Sequence, residues 1–346
     1  MRVRRCFQIV TLLGSLAVCS ALGEWLWRAA VHDRYRRDRE LFSERLYELV
    51  DSGAIYDLRP DADVTETIAD PQGGPPTVVR YRTNAERMPV HATWPPPRDA
   101  NVRRVLFVGD SYTFGSAIAE GDAWPFQTQA ELARQGTAIF AINGGVPGYN
   151  SQQVLVRLRE LLARHEPQHV VYGFVMNDAE PPVFGVLPPA DVYREAWSWL
   201  AADARHLAGW LTMALVDDRS PWAPLRQQYA GDYRASFAPG VAKARDCRRA
   251  VVAMHEACRA RGVGFTVAIL PDFTQPFDDT YAYRGIHEQV VAWGREAGFA
   301  TVDTFTGLCG ADAAAMHVPG DGHPTREGHR RLAVQIAARL AEQFRG

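Results

Sequence analysis

Five short apolar runs, separated by segments of helical spacing, dominate the chain from residue 102 onward. The first three runs are continuous rather than alternating, which is typical of strands buried on both faces of a parallel sheet. The strands are expected at 105–108, 138–142, 169–175, 265–270 and 301–305. The helices are expected from about residue 124 and at 151–165, 241–261, 281–297 and 325–344. The pattern predicts a doubly wound, flavodoxin-like α/β fold with a mainly parallel five-stranded sheet flanked by helices over 102–346.

Two further segments belong to the body of the chain. Helical spacing continues to about residue 50, and 51–99 is rich in Pro, Asp, Thr and Gly, with at most short strands such as 77–81. We expect 41–101 to be a linker that packs partly on the following domain. The domain itself carries an aromatic-rich insertion at 179–240, which predicts either a helical layer on the sheet or a lid over a pocket.

The N-terminus has the pattern of a membrane segment. Three arginines among the first five residues precede an apolar run from Phe7 to Leu26, long enough to cross a bilayer as a helix. We expect 1–40 to form an uncleaved anchor and the helix that follows it. A signal peptide cleaved after Gly23 and a buried core helix are the alternatives. Arginines after the run are diluted by acidic residues, so the charge pattern does not fix orientation.

Charge and cysteine content narrow the possible partners and cofactors. With 38 Lys and Arg against 40 Asp and Glu, the formal charge of −2 gives no field that would attract nucleic acid. Nucleotide-binding and metal-binding motifs are missing from the sequence, so we expect no cofactor and no metal.

Cys247 and Cys258 lie about 16 Å apart on one predicted helix and cannot bridge each other. Cys309 could pair with either, and the oligomeric state cannot be inferred.

Polar blocks stand at the carboxyl ends of the predicted strands, where ligands bind in such folds. Ser111 follows the first strand, in a position where a serine is exposed beside converging backbone N–H groups. Such a serine could be a nucleophile or could cap the next helix. Three more blocks are Asn143-Gly-Gly-Val-Pro-Gly-Tyr-Asn-Ser, Val-Met-Asn177-Asp178 and Gly320-Asp-Gly-His-Pro-Thr.

Together with Gly109-Asp-Ser111, these blocks resemble the four motifs of the SGNH (GDSL-like) hydrolase superfamily, in order and over 102–346. The resemblance implies a serine esterase with Ser111 as nucleophile and His323 as general base. It also implies an oxyanion hole made of the backbone N–H groups of Ser111 and Gly148 and the side-chain amide of Asn177. These donors carry no charge of their own and suit an oxygen that becomes negative during attack.

The third member of the triad is assigned to Asp321, which would orient His323 through Nδ1. Many family members place the Asp three residues before the His, whereas here it lies two before. Relatives that handle polysaccharide acetyl groups also have this Asp-x-His spacing. Asp303 and Asp312 are the competing candidates.

The resemblance implies an esterase for O-acyl groups, expected to be acetyl groups on a carbohydrate or cell-envelope polymer. An O-acetyltransferase would use the same acyl-enzyme and is the alternative, and a non-catalytic carbohydrate-binding scaffold is a third. A Tyr81-Arg-Thr-Asn84 stretch is similar to the upstream region of membrane-tethered bacterial members. The catalytic domain is therefore expected outside the cytoplasm.

Overall fold

The computed structural model divides the chain into two compact units, Met1–Arg45 with Leu187–Asp232, and Leu46–Val186 with Tyr233–Gly346. The structure describes residues 11, 14–15, 17–29, 46–68, 70, 73–90, 94–97, 99, 101–180, 233–319 and 321–345.

In the first unit, residues 17–29 are helical. The side chains of Val18, Leu22, Trp25 and Leu26 are exposed there. Within the described residues, no helix has the length and apolar character that a bilayer crossing requires. The remainder of the predicted anchor, and residues 181–232 of the predicted insertion, lie outside the described part of the chain.

The second unit begins with two β-hairpins. Strand β1 (Tyr47–Leu49) pairs with β2 (Tyr56–Leu58), and β3 (Asp63–Ile68) pairs with β4 (Thr77–Arg82), both antiparallel. The helical spacing expected up to residue 50 is therefore wrong over β1. Leu46, next to β1, is buried, and its carbonyl accepts a hydrogen bond from the Arg59 N–H at 2.8 Å, so the pairing of the hairpin overrides the local pattern. The strand expected near 77–81 is present as β4.

The core of this unit is a parallel sheet of five strands, which are β5 (Arg103–Gly109), β6 (Ile139–Asn143), β7 (His169–Phe174), β8 (Gly264–Ile269) and β9 (Ala300–Asp303). Every residue of β6 and β7 is buried, as the continuous apolar runs predict. The strand order is β6-β5-β7-β8-β9. The order confirms the flavodoxin-like arrangement, whose switch point lies between β5 and β7.

The helices described in this unit are α1 (Ser111–Phe114), α2 (Trp124–Arg134), α3 (Ser151–His165), α4 (Tyr233–Ser236), α5 (Ala242–Arg259), α6 (Arg284–Ala297), α7 (Ala313–Met316) and α8 (Arg326–Arg345). They pack in two groups, as right-handed crossovers between parallel strands require. Helix α2 packs against α8, and α3 packs against α5, which also contacts α6.

The two ends of the segment 181–232 are joined by a polar cluster. The Glu180 carboxylate accepts hydrogen bonds from Ser236 Oγ at 2.6 Å and from Lys243 Nζ at 2.7 Å. Just after the segment, Phe237 is buried and stacks on Trp293, with ring centroids 6.2 Å apart. The chain therefore leaves and re-enters the sheet domain at one place.

Candidate active site

Ser111 is the first residue of α1, directly after β5. Asp110 caps this short helix and accepts a hydrogen bond from the Tyr112 backbone N–H at 2.9 Å. The start of the helix and the neighbouring strand both crowd Gly109: a Cβ atom there would overlap Thr113 Oγ1 and lie 2.8 Å from the carbonyl oxygen of Gly173. Only glycine fits at 109, and the close approach places Ser111 at the carboxyl edge of the sheet. The capping role that the sequence left open for the serine belongs to Asp110.

Ser111, His323 and Asp321 form one hydrogen-bonded chain. His323 Nε2 lies 2.7 Å from Ser111 Oγ, and Asp321 Oδ1 contacts His323 Nδ1. The same carboxylate oxygen accepts from the His323 backbone N–H at 3.1 Å. With Nδ1–H bonded to Asp321, Nε2 is free to accept the serine proton, which is the arrangement that activates a hydroxyl nucleophile.

The environment keeps Asp321 ionised. Burial alone would raise the pKa of its carboxyl, but the hydrogen bond and charge of His323 outweigh burial and lower the pKa below its usual range. The ring of His323 is flanked by Tyr112, with centroids 5.4 Å apart. The pair is about a quarter exposed, at 23% for each side chain, so a substrate can approach it.

Gly148 lies in the loop after β6, the strand next to β5. Its φ of +78° and the hydrogen bond from Tyr149 N to Val146 O at 3.2 Å define a type II turn with Pro147 at the second position. Among the described residues, the Gly148 N–H has no acceptor. Left-handed backbone of this kind favours glycine, which explains the residue type.

Asn177 lies in a short 3₁₀ turn (Met176–Ala179) that follows β7, the other neighbour of β5. Its Nδ2 is 3.4 Å from Asp110 Oδ2, beside the serine. The buried Asp178 fixes the turn by accepting from the Val175 N–H at 2.8 Å. The loops after three neighbouring strands therefore carry Ser111, Gly148 and Asn177.

Two residues that the sequence reasoning did not single out support the serine. Asp110 is buried, and Ser111 Oγ lies 3.2 Å from its Oδ2. Burial raises the pKa of the Asp110 carboxyl, against the hydrogen bond from Tyr112 and the charge of His323. Asn143 at the end of β6 donates from Nδ2 to the carbonyl of Thr113 at 2.9 Å, which ties the Gly148 loop to α1. An Asn at the end of a fully apolar strand is the sequence signal for this role.

The competing acids and histidines are engaged elsewhere. Asp303 contacts His287 and Asp312 caps α7, accepting from Ala314 N at 3.0 Å. His317 Nδ1 meets the carbonyl of Ala313, and the buried His329 accepts from the Trp124 N–H. Cys247, Cys258 and Cys309 are free thiols.

Fold and site together define an α/β serine hydrolase, with a nucleophile at the carboxyl edge of a parallel sheet. The family model of the GDSL-like lipase/acylhydrolase family matches residues 107–331, and the chain belongs to this family. It is accordingly an SGNH-type serine hydrolase of the esterase class.

Solved structures with a similar fold include TesA, at 19% identity and a TM-score of 0.43, covering 69% of this chain and 98% of TesA. A catalytic mutant of Axe2, an acetylxylan esterase from Geobacillus stearothermophilus, has 14% identity and a TM-score of 0.45, covering 70% and 96% of the two chains. The psychrotrophic esterase EstA from Pseudoalteromonas sp. has 13% identity and a TM-score of 0.42, covering 70% and 100%. No match is found among curated protein sequences.

Proposed function

We propose that the protein hydrolyses O-acyl esters, with acetyl on a carbohydrate or cell-envelope polymer as the substrate, through an acyl-enzyme on Ser111. The observation that carries the proposal is the chain of hydrogen bonds from Ser111 Oγ through His323 to Asp321. A serine hydroxyl is a weak nucleophile at neutral pH, and this arrangement removes its proton as it attacks.

In the first half-reaction, Ser111 Oγ bonds to the acyl carbon while His323 Nε2 takes the hydroxyl proton. Negative charge builds on the carbonyl oxygen, which accepts hydrogen bonds from the N–H groups of Ser111 and Gly148 and from Asn177 Nδ2. The intermediate collapses as the ester C–O bond breaks, and the proton on His323 passes to the leaving sugar oxygen. Asp321 holds the imidazole in the required tautomer and stabilises its charged form.

In the second half-reaction, His323 removes a proton from water, whose oxygen attacks the acyl carbon. The same three donors stabilise the second oxyanion. The bond to Ser111 Oγ breaks, the serine regains its proton, and the free acid leaves. The groups described above suffice for both halves.

One feature supports an acetylated carbohydrate as the substrate, and another supports attachment of the enzyme to a membrane. The Asp-x-His spacing of Asp321 and His323 resembles that of relatives that act on polysaccharide acetyl groups. The basic start and the apolar run from Phe7 to Leu26 support tethering to a membrane, and Val18, Leu22, Trp25 and Leu26 supply an apolar surface to the helical residues 17–29.

The test uses full-length protein in mild detergent with p-nitrophenyl acetate and with an acetylated oligosaccharide. We expect release of p-nitrophenol and of free acetate, both lost in Ser111→Ala. If turnover required an added unacetylated sugar and the acetyl group were found on that sugar, hydrolysis would be the wrong reaction. If Ser111→Ala matched the wild type, the site itself would be wrong.

A further inference from the structure

The β1–β2 hairpin, upstream of the matched family domain, contacts the turn that holds Gly148. The buried Tyr56 on β2 donates a hydrogen bond from its hydroxyl to the carbonyl oxygen of Pro147 at 2.9 Å. In return, the Tyr149 hydroxyl donates to the carbonyl of Tyr56. The two tyrosine rings pack edge to face, with centroids 5.2 Å apart. The residues on both sides of Gly148 are thus held by Tyr56.

The Pro147 carbonyl and the Gly148 N–H belong to one peptide unit. Because that unit is planar and trans, its C=O and N–H point in opposite directions. A hydrogen bond that fixes the carbonyl therefore also fixes the direction of the N–H. That N–H has no acceptor among the described residues, and the proposed function assigns it to the substrate oxyanion.

The same peptide unit is the one that distinguishes type I from type II turns. The two turn types differ by a rotation of the central peptide, which exchanges the positions of its C=O and N–H. The φ of +78° at Gly148 identifies type II. In the rotated form a carbonyl oxygen would replace the N–H and would repel an oxyanion.

We propose that Tyr56 is a positioning residue of the oxyanion hole, which holds the Pro147–Gly148 peptide in the orientation that presents the Gly148 N–H to the substrate. The inference rests on the proposed role of Gly148. It makes the N-terminal hairpin part of the catalytic apparatus, although the hairpin contributes no reacting group.

Further contacts fix the β1–β2 hairpin in the position from which Tyr56 reaches Pro147. Gln153 Nε2 donates to the Ala54 carbonyl at 2.8 Å, and the buried Arg157 forms an ion pair with Asp57. Burial raises the pKa of the Tyr56 hydroxyl well above its usual value, so the group stays protonated and remains a donor throughout the working pH range. Tyr56 is therefore fixed both in place and in protonation state.

The test compares Tyr56→Phe with Tyr149→Phe in full-length protein. Each variant removes one hydroxyl from the same buried pair, but only Tyr56→Phe takes the donor from Pro147. For Tyr56→Phe with p-nitrophenyl acetate we expect kcat to fall about tenfold, the equivalent of one hydrogen bond, with KM within about twofold. Complete loss of one oxyanion donor lowers kcat by about 10²–10³-fold, and this is the largest effect that Tyr56→Phe could have through Gly148.

Three readouts separate positioning from general damage. The inhibition constant of a trifluoromethyl ketone, which forms an oxyanion on Ser111, should rise in parallel with the fall in kcat. The pH midpoint of kcat/KM should not move, because the Ser111–His323–Asp321 chain is untouched. Tyr149→Phe should lower the melting temperature as much as Tyr56→Phe, with a change in kcat below about threefold.

A double variant gives a second test. Gly148→Ala strains the left-handed backbone and favours the same rotated peptide, so Tyr56→Phe with Gly148→Ala should lose little more kcat than the worse single variant. The inference would be overturned by any of three results. These are additive losses in the double variant, equal loss of kcat in Tyr56→Phe and Tyr149→Phe, and wild-type kcat in Tyr56→Phe. If the wild type is active and Ser111→Ala is inactive, the proposed function still holds in those cases. If the wild type itself has no esterase activity, the proposed function is wrong.

Discussion

Asp303 Oδ1 lies 2.8 Å from Nδ1 of His287, a histidine with no exposed surface on α6. The same oxygen accepts from the Phe305 N–H at 3.0 Å, and His287 Nε2 is 3.1 Å from the Tyr281 hydroxyl. The arrangement repeats the Asp–His pairing of the active site, but around a ring that no substrate can reach. Asp303 is thereby paired with His287, and the carboxylate that contacts His323 is that of Asp321.

The first prediction follows for the third member of the triad. Asp321→Ala should lower kcat by less than Ser111→Ala or His323→Ala, because the carboxylate orients and stabilises the imidazole without bonding to the substrate. In one serine protease, removal of the Asp lowers kcat about 10⁴-fold, whereas removal of the Ser or the His lowers it about 10⁶-fold. Steady-state kinetics on the three variants checks the order. Wild-type turnover in Asp321→Ala, together with collapse in Asp303→Ala or Asp312→Ala, would show that the wrong acid was assigned.

A second prediction concerns Asn177. Because its amide is proposed to bond the oxyanion rather than the ground-state ester, Asn177→Ala should lower kcat about 10²–10³-fold with little change in KM. The exposed Asn101 gives a matched control, since it precedes β5 whereas Ser111 follows that strand, so Asn101→Ala removes the same group at the opposite end of the strand and should leave both constants unchanged. A normal kcat with a raised KM would make Asn177 a substrate-binding residue instead.

A third prediction concerns the buried ion pair between Arg157 and Asp57, whose side chains are 4% and 8% exposed. Arg157→Met leaves a buried carboxylate without its cation and should lower the free energy of unfolding by about 3–5 kcal/mol. Arg157→Met combined with Asp57→Leu removes both charges and should recover most of that loss. Urea titrations of the wild type, the single and the double variant measure the difference. A double variant as unstable as the single one would mean that packing, not charge, accounts for the loss.

Stability should fall in mild acid through His329, which is the fourth prediction. Burial, with the charge of nearby His323, lowers its pKa to about 3, while an unfolded histidine titrates near 6.5. The unfolded state therefore binds the proton first, and stability is lost as pH falls below about 6.5 and continues to fall until about pH 3. At pH 5 the loss is about 2 kcal/mol from this residue.

His329→Asn tests that slope, because its side-chain oxygen can still accept the hydrogen bond from the Trp124 N–H. Denaturation at pH 7.5 and pH 5.0 should show a smaller pH effect in the variant, by about 2 kcal/mol. Equal pH effects in both proteins would show that other groups set the acid sensitivity.

The fifth prediction concerns the N-terminus. If the apolar run from Phe7 to Leu26 anchors the protein, full-length protein should remain in the membrane fraction after carbonate extraction, and a chain that starts at residue 41 should not. Recovery of a shortened protein from the soluble fraction, with its new N-terminus near residue 24, would support cleavage after Gly23.

The sheet could be predicted from the sequence because its first three strands, β5, β6 and β7, are apolar runs with helical spacing between them. Burial on both faces leaves that pattern in any parallel sheet. The site could be predicted because Ser111, Gly148 and Asn177 all follow strands, and strand ends meet at one edge of the sheet.

The β1–β2 hairpin could not be predicted, for the opposite reason. β1 and β2 have three residues each, too few to show a period, and they are held by contacts with distant residues. Arg157 looks like a solvent-facing residue of α3, yet it is buried because Asp57 meets it from 100 positions away. Local pattern carries no information about such a pairing, and the Tyr56–Pro147 contact is hidden in the same way.

The hydrogen bonds of Glu180 with Ser236 and Lys243 bring together two points of the chain that are 56 positions apart. Chain ends that meet in this way are the condition under which a domain tolerates an inserted segment. Residues 181–232 can therefore be lengthened, shortened or exchanged during evolution without moving a strand of the sheet. Glu180 lies three residues after Asn177, so this segment begins close in sequence to the candidate site, and relatives could exchange the segment while the residues of the site stay the same.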